Sequence, residues 1–322
     1  MSTVTNLVPR PYAGEADLQP ICDLVNACDA VDQFDDNYAV DDLRLEFSDP
    51  RLDPAQDLRV WENEDGQVIG FGQLWIDRAG EKADGYLYFK VLPAARNNGV
   101  EDDIMEWGTE RMHAVAAECG KPAILSSSAR EEDSARRALL ERYGLVANRF
   151  FFRMQRPLDQ PIPEPQFPTG FTLTHTNGLS DAERWVAAYN QSFIDHWNFH
   201  PSTVERHQHW LTDPKYCTDL DLVAVTEDDT VAAFCFCFID PDSNERNNRR
   251  EGSINLLGVR RGFRKLGLGR AMLLAGMRAL KDAGMDVVKL GVDAENPSGA
   301  LRLYENVGFE VVYTNVAYAK DI

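Results

Sequence analysis

The sequence has no apolar run approaching the ~20 residues that a bilayer span requires, so no membrane-spanning helix is expected. It has no Cys-x-x-Cys pair. Its cysteines, Cys22, Cys28, Cys119, Cys217, Cys235 and Cys237, are scattered and form no ligand-spaced set with histidine. Reduced core thiols are therefore expected rather than disulfides or a metal site, as in a cytoplasmic protein. Positive charge is scarce: 33 Lys and Arg stand against 52 Asp and Glu, a net charge of −19. That balance argues against nucleic acid and anionic membranes as partners. No glycine-rich loop ends in Gly-Lys-Ser/Thr, which removes a P-loop. The start of the chain lacks a basic segment followed by an apolar core, and a secretory signal is not expected.

Against this acidic background one stretch is basic. From Arg249 to Arg270 there are seven basic residues (Arg249, Arg250, Arg260, Arg261, Arg264, Lys265, Arg270) and one acid, Glu251. Within it an apolar run, Ile254 to Val259, reads as a strand. It leads into Arg264-Lys265-Leu266-Gly267-Leu268-Gly269-Arg270 and then into a helical pattern that runs to about Ala283. Glycine lets backbone N–H groups approach a ligand closely. A helix N-terminus adds unpaired donors and partial positive charge, which together suit a phosphate. The stretch reads as a pyrophosphate cradle, with a solvated basic loop as the alternative.

At 322 residues two domains are expected. Helices are expected over Asp17 to Cys28, Tyr38 to Phe47, Asp102 to Ala117 and Asp133 to Arg142. Strands are expected over Leu58 to Glu62, Val68 to Ile76, Tyr86 to Leu92, Ala123 to Ser126 and Arg149 to Met154. Five prolines within residues 157–168 then predict a stiff extended linker. After it the order recurs: strand Phe171 to His175, helices Leu179 to Phe193 and Thr203 to Leu211, and a hairpin from Leu222 to Ile239. The cradle and its helix, strand Val287 to Val292, helix Ser298 to Asn306 and strand Glu310 to Tyr318 follow. Arg96-Asn-Asn-Gly99 matches Arg264-Lys-Leu-Gly267, and Leu139-Leu-Glu-Arg-Tyr-Gly-Leu145 matches Leu303-Tyr-Glu-Asn-Val-Gly-Phe309. The chain is an internal repeat with a period of about half its length. An α/β fold is expected, with a mixed sheet and helices on both faces. The expected boundaries are 1–156 and 169–322, joined by 157–168.

The second half resembles the GNAT superfamily of acetyl-CoA-dependent N-acetyltransferases. The resemblance rests on four blocks in order: Leu257-Gly258-Val259, Arg264-x-x-Gly267-x-Gly269, Val292-Asp-Ala-Glu-Asn296, and Ala300-Leu-x-x-Tyr304-Glu-x-x-Gly308-Phe309. Two such units in one chain look like the tandem GNAT proteins, whose domains are mostly antiparallel twisted sheets flanked by helices. The resemblance implies that the backbone from Arg264 to Arg270 holds the pyrophosphate of acetyl-CoA. It implies that Leu257, Gly258 and Val259 pair with the pantetheine amides, and that Asn296 bonds the cofactor arm or caps a helix. Tyr304 is implied as the acid that protonates the departing thiolate; a core aromatic is the alternative.

Other roles stay open. Ser253 aligns where a carboxylate base often stands, so either Glu251, two residues earlier, or a water relay takes the amine's proton. The loop Asp195-His196-Trp197 either holds an amine by charge and cation–π contact or is structural. In the first half the second cradle glycine becomes Glu101 and the tyrosine position falls near Leu140, so that half is expected to do no chemistry. The reading is an N-acetyltransferase acting directly on a small-molecule primary amine, as a monomer or homodimer. The alternatives are a mycothiol synthase proper and a non-catalytic acyl-CoA-binding module.

Overall fold

The structure is a computed structural model that describes residues 8–34, 37–296 and 298–322. The chain forms two compact units, Met1–Arg149 with Asn315–Ile322, and Phe150–Thr314.

The first unit runs β1 (Val8–Pro11), α1 (Glu15–Asp32), α2 (Val40–Phe47), α3 (Pro54–Asp57), β2 (Leu58–Glu62), β3 (Val68–Asp77), β4 (Ala83–Val91), α4 (Val100–Cys119), β5 (Ala123–Arg130) and α5 (Ser134–Arg142). Its strands lie in the order β1-β2-β3-β4-β5, antiparallel except for the parallel pair β4 and β5. Nearly every residue of β3 is buried, as expected of a central strand with helices on both faces. One face packs Leu74 and Leu87 against Ile104 and Met105 of α4. The other packs Val60 and Phe71 against Leu18, Ile21 and Val25 of α1. The turn between β2 and β3 closes with the Asn63 N–H donating to Gln67 O at 3.0 Å.

The second unit repeats the plan. It contains β6 (Val146–Pro157) from Phe150 onward, β7 (Phe171–His175), α6 (Ala182–Phe193), α7 (Val204–Trp210), β8 (Asp221–Thr226), β9 (Val231–Phe238), α8 (Pro241–Asn247), β10 (Glu251–Val259), α9 (Leu268–Asp282), β11 (Val287–Asp293) and α10 (Ala300–Glu305). The last strand, β12 (Glu310–Asp321), begins here. Strand order is β6-β11-β10-β9-β8-β7, with β10 and β11 the parallel pair. The core is Leu273, Met277 and Leu280 of α9 against Cys235, Ile254, Val288 and Leu290 of the sheet. Burying each such side chain stabilises the unit by about 1.5–3 kcal/mol.

The units divide the chain differently from the expected 1–156 and 169–322. Each half hands its last strand to the other unit. Residues Phe151 to Pro157 of β6 pair with Asp293 to Val287 of β11. Residues Asn315 to Asp321 of β12 pair with Arg130 to Ile124 of β5. Hydrophobic alternation shows that a strand has a face to bury and does not show which sheet receives it. The proline segment is extended, and it is packed rather than a free tether. Leu158 is 1% exposed and its N–H donates to Asp286 O at 2.7 Å. Ile162 and Phe167 lie on the second core, and Arg278 donates to Ile162 O at 3.0 Å. Helix α8 went unread although its signal is local: Asp240 caps Ser243 N at 3.0 Å and Pro241 opens the helix.

Candidate functional site

Strand β10 carries a bulge. Ile254 opposes Cys237 but Leu256 opposes Phe236, leaving Asn255 as the extra residue. Its parallel pairing with β11 covers only Glu251–Ile254 against Val287–Leu290. Beyond that point Leu256 to Val259 pair on the β9 side alone. Their other edge faces a cavity of about 810 Å³, whose opposite wall includes Gly291, Val292 and Asp293. A free strand edge is what an extended amide chain can pair with. Gly258 sits on this edge because a Cβ there would meet Phe234 at 2.3 Å.

The cradle closes one end of the cavity. Lys265 has φ +65° and Gly267 φ +94°, a left-handed turn that glycine adopts without strain. It opens α9 with no acid in the first turn. Leu257, Gly258, Val259, Arg264, Lys265, Leu268 and Gly269 line the cavity, together with Asp195, His196, Asn296 and Tyr304. Leu266 is half exposed and, like Gly267, Arg270 and Trp197, is outside the lining. Trp197 backs the wall instead, its ring 5.9 Å from that of Phe151.

Arg264 is anchored within the protein. Its guanidinium donates to Asp195 Oδ2 at 2.6 Å and to Ser192 O at 2.7 Å, and its Nε donates to Val259 O at 3.3 Å. Arg261 also donates to Asp195. The two guanidiniums, Arg261 first, hold the Asp195 carboxyl below the usual carboxylate range. Asp195 thus fastens the loop to the end of α6. The same device recurs in the first unit. Arg96 donates to Asp32 at 2.7 and 2.6 Å and to Val91 O at 3.1 Å, and Asn97 and Gly99 have φ +62° and +94°. There the loop satisfies itself: both Glu101 oxygens accept the Asn97 N–H at 3.2 Å. Helix α4 opens with Glu101, Asp102 and Asp103, which complement the helix dipole internally. Leu140, fully buried, stands near the position matching Tyr304.

Tyr304 is 7% exposed and borders the cavity. Burial pushes its phenol above the ordinary tyrosine range, so it keeps its proton at neutral pH. Asn296 accepts the Ser298 N–H at 2.8 Å through Oδ1 and turns its Nδ2 to His196 Nε2 at 3.1 Å. Glu251 is outside the cavity lining, and its carboxylate is held by Lys289 Nζ at 2.5 Å and by Arg249 at 3.6 Å. On a strand, alternation gave it the face of Ser253, but that face meets Lys289 of the parallel neighbour first. Phe151, Asn255 and Asp293 are wall residues that the sequence reading missed. Asp293 lies inside the Val292-Asp-Ala-Glu-Asn296 block, a local signal; Phe151 reaches the wall only through the strand exchange. Among the described residues no group of His, Cys, Asp or Glu could hold a metal. No helix among them is long and apolar enough to cross a membrane.

A glycine-spaced loop at a helix start, a free strand edge and a buried phenol surround one cavity. A profile of the acetyltransferase (GNAT) family matches residues 182–309. The chain is 30% identical to a mycothiol acetyltransferase of Nocardiopsis dassonvillei, over 80% of this chain and 79% of that one. It is 28% identical to one from Salinispora arenicola, over 95% and 93%. The fold is that of a GCN5-related N-acetyltransferase from Sphaerobacter thermophilus, with a TM-score of 0.75, 24% identity and 98% and 95% of the two chains covered. It is also that of a tandem GNAT protein from the clavulanic acid biosynthesis pathway, with a TM-score of 0.72, 14% identity and 98% of each chain covered. The chain belongs to the GNAT acetyltransferase family. It is an enzyme that transfers an acetyl group to an amine, built as two α/β units of mixed, mostly antiparallel sheet.

Proposed function

We infer that acetyl-CoA is the donor, that a small-molecule primary amine is the acceptor, and that transfer is direct, in a ternary complex formed in the second unit in the cytoplasm. The observation that carries this reading is the cavity in which Leu257–Val259, the cradle and Tyr304 share one wall system. Backbone N–H groups from Arg264 to Arg270 receive the pyrophosphate, and the β10 edge receives the pantetheine amides. Tyr304 donates its proton to the departing sulfur. Arg264 and Asp195 hold the loop in shape, and Lys265 and Arg270 remain the cations offered to phosphate. Trp197 shapes the acceptor side through Phe151. The first unit, whose loop is closed by Glu101, does no chemistry.

The relatives named mycothiol acetyltransferase favour a second reading, in which the amine belongs to a cysteinyl aminoglycoside. Acetyl-CoA-dependent thiol release, assayed over a panel of amines that includes that precursor, tests both. Release with simple amines and none with the precursor removes the second reading. Acetyl-CoA binding with no release on any amine removes both.

A further inference from the structure

With Glu251 paired to Lys289 outside the cavity, the reaction lacks a group to take the proton of the incoming ammonium. The titratable side chains lining the cavity are Asp195, His196, Arg264, Lys265, Asp293 and Tyr304. Arginine, lysine and a buried phenol carry protons already and cannot serve. Asp195 is bound by two guanidiniums. Asp293 is 4% exposed and its Oδ1 closes the turn after β11 by accepting the Glu295 N–H at 2.9 Å. His196 is the side chain left with the chemistry of a base at neutral pH.

Its hydrogen bond sets its tautomer. Asn296 Oδ1 is taken by the Ser298 N–H, so the atom facing His196 is the amide nitrogen, a donor. His196 Nε2 must then accept, at 3.1 Å, and the ring hydrogen sits on Nδ1. The ring is braced edge-on against Phe193, with centroids 4.9 Å apart. Asn296 therefore presents an imidazole whose Nε2 lone pair lies on the cavity wall.

We propose that His196 is the general base of this enzyme. The proposal rests on the acetyl-transfer reading above. The ammonium of the acceptor gives one proton to Nε2, taking the place of the Asn296 N–H. The neutral nitrogen then forms a C–N bond to the thioester carbonyl carbon. As the C–S bond breaks, Tyr304 protonates the sulfur, and the phenolate recovers a proton from the new amide nitrogen. His196 returns its proton to water, so one proton is released per acetyl group.

The test compares wild type with His196→Gln, in which a carbonyl oxygen can still accept from Asn296 but cannot take a proton. The acceptors are the best alkylamine of the panel and its aminooxy isostere, which is neutral at neutral pH and needs no base. The variant should lose about 100-fold with the alkylamine and less than about threefold with the isostere. The ratio of the two rates within one sample is independent of how much variant folds. Equal loss on both acceptors reduces His196 to a positioning residue, and no loss on either removes it; each overturns the proposal alone. A wild type that releases thiol with no amine would overturn the acetyl-transfer reading and this proposal with it.

Discussion

Replacing Tyr304 by phenylalanine removes one oxygen from a ring that is 7% exposed and leaves its packing against Phe309, 5.9 Å between centroids, in place. No described residue shares a hydrogen bond with that hydroxyl, so nothing buried is stranded and stability should change by less than about 1 kcal/mol. The catalytic effect should be far larger. A positioned acid contributes about 100-fold or more, so kcat should fall by about 100-fold, or about 2.7 kcal/mol. The KM for acetyl-CoA should hold, because the cradle and the β10 edge are untouched. Burial raises the phenol pKa above its ordinary value. The acid form is therefore present through neutral pH and well into the alkaline range. Neither wild type nor variant should lose rate through this group between about pH 7 and 10. Steady-state thiol release across pH, with thermal unfolding as the control, reads all three. A variant within about twofold of wild type in kcat would remove Tyr304 as the acid, since a positioned acid is worth far more than that. A fall in kcat matched by a fall in melting temperature would mark it as structural.

His207 is 3% exposed, stacks on Trp185 at 4.0 Å and is pushed down to about 4 by burial. The unfolded chain binds that proton first, so stability is lost as pH falls from about 6.5 towards 4, by about 2 kcal/mol at pH 5. His207→Phe should abolish that loss when denaturant unfolding is compared at pH 7 and pH 5. The opposite contribution of Asp221, raised to about 6 by burial, is present in both proteins and cancels in the comparison. A Cβ at Gly276 would meet Cys235 Sγ at 2.5 Å and Cys237 Sγ at 2.9 Å. Gly276→Ala should therefore cost about 1–3 kcal/mol by lifting α9 from the sheet, and adding Cys235→Ala should recover most of it. Asp195→Asn frees two guanidiniums and should raise the acetyl-CoA KM by roughly threefold with kcat little changed. A lower KM would mean that the freed arginines grip phosphate better than a fastened loop does.

Local physics made much of this legible. The hairpins follow from their turn residues, and the cradle follows from glycines that permit positive φ at Gly267 and Gly99. Tyr304 follows from its place in a motif. The decay of the first half shows in single letters, because one glycine replaced by Glu101 reverses the charge offered to an anion. Contacts between residues distant in sequence were not legible. Which sheet takes β6 or β12 depends on hydrogen-bonding partners more than a hundred residues away. Alternation put Glu251 on the face of Ser253, and its partner there, Lys289, is supplied by the parallel neighbour. For Asp195 the sequence left substrate contact and a structural role open, and Arg261 and Arg264 meet it across 66 and 69 residues. The sequence by itself determined the repeat, the glycine-spaced loop that opens α9 and the place of Tyr304 in its motif, since each depends on a few neighbouring residues. Only the tertiary structure decided the strand exchange, the fate of the two carboxylates and the pairing of His196 with Asn296, because side-chain chemistry at those positions is set by whichever partner the fold brings within about 3 Å.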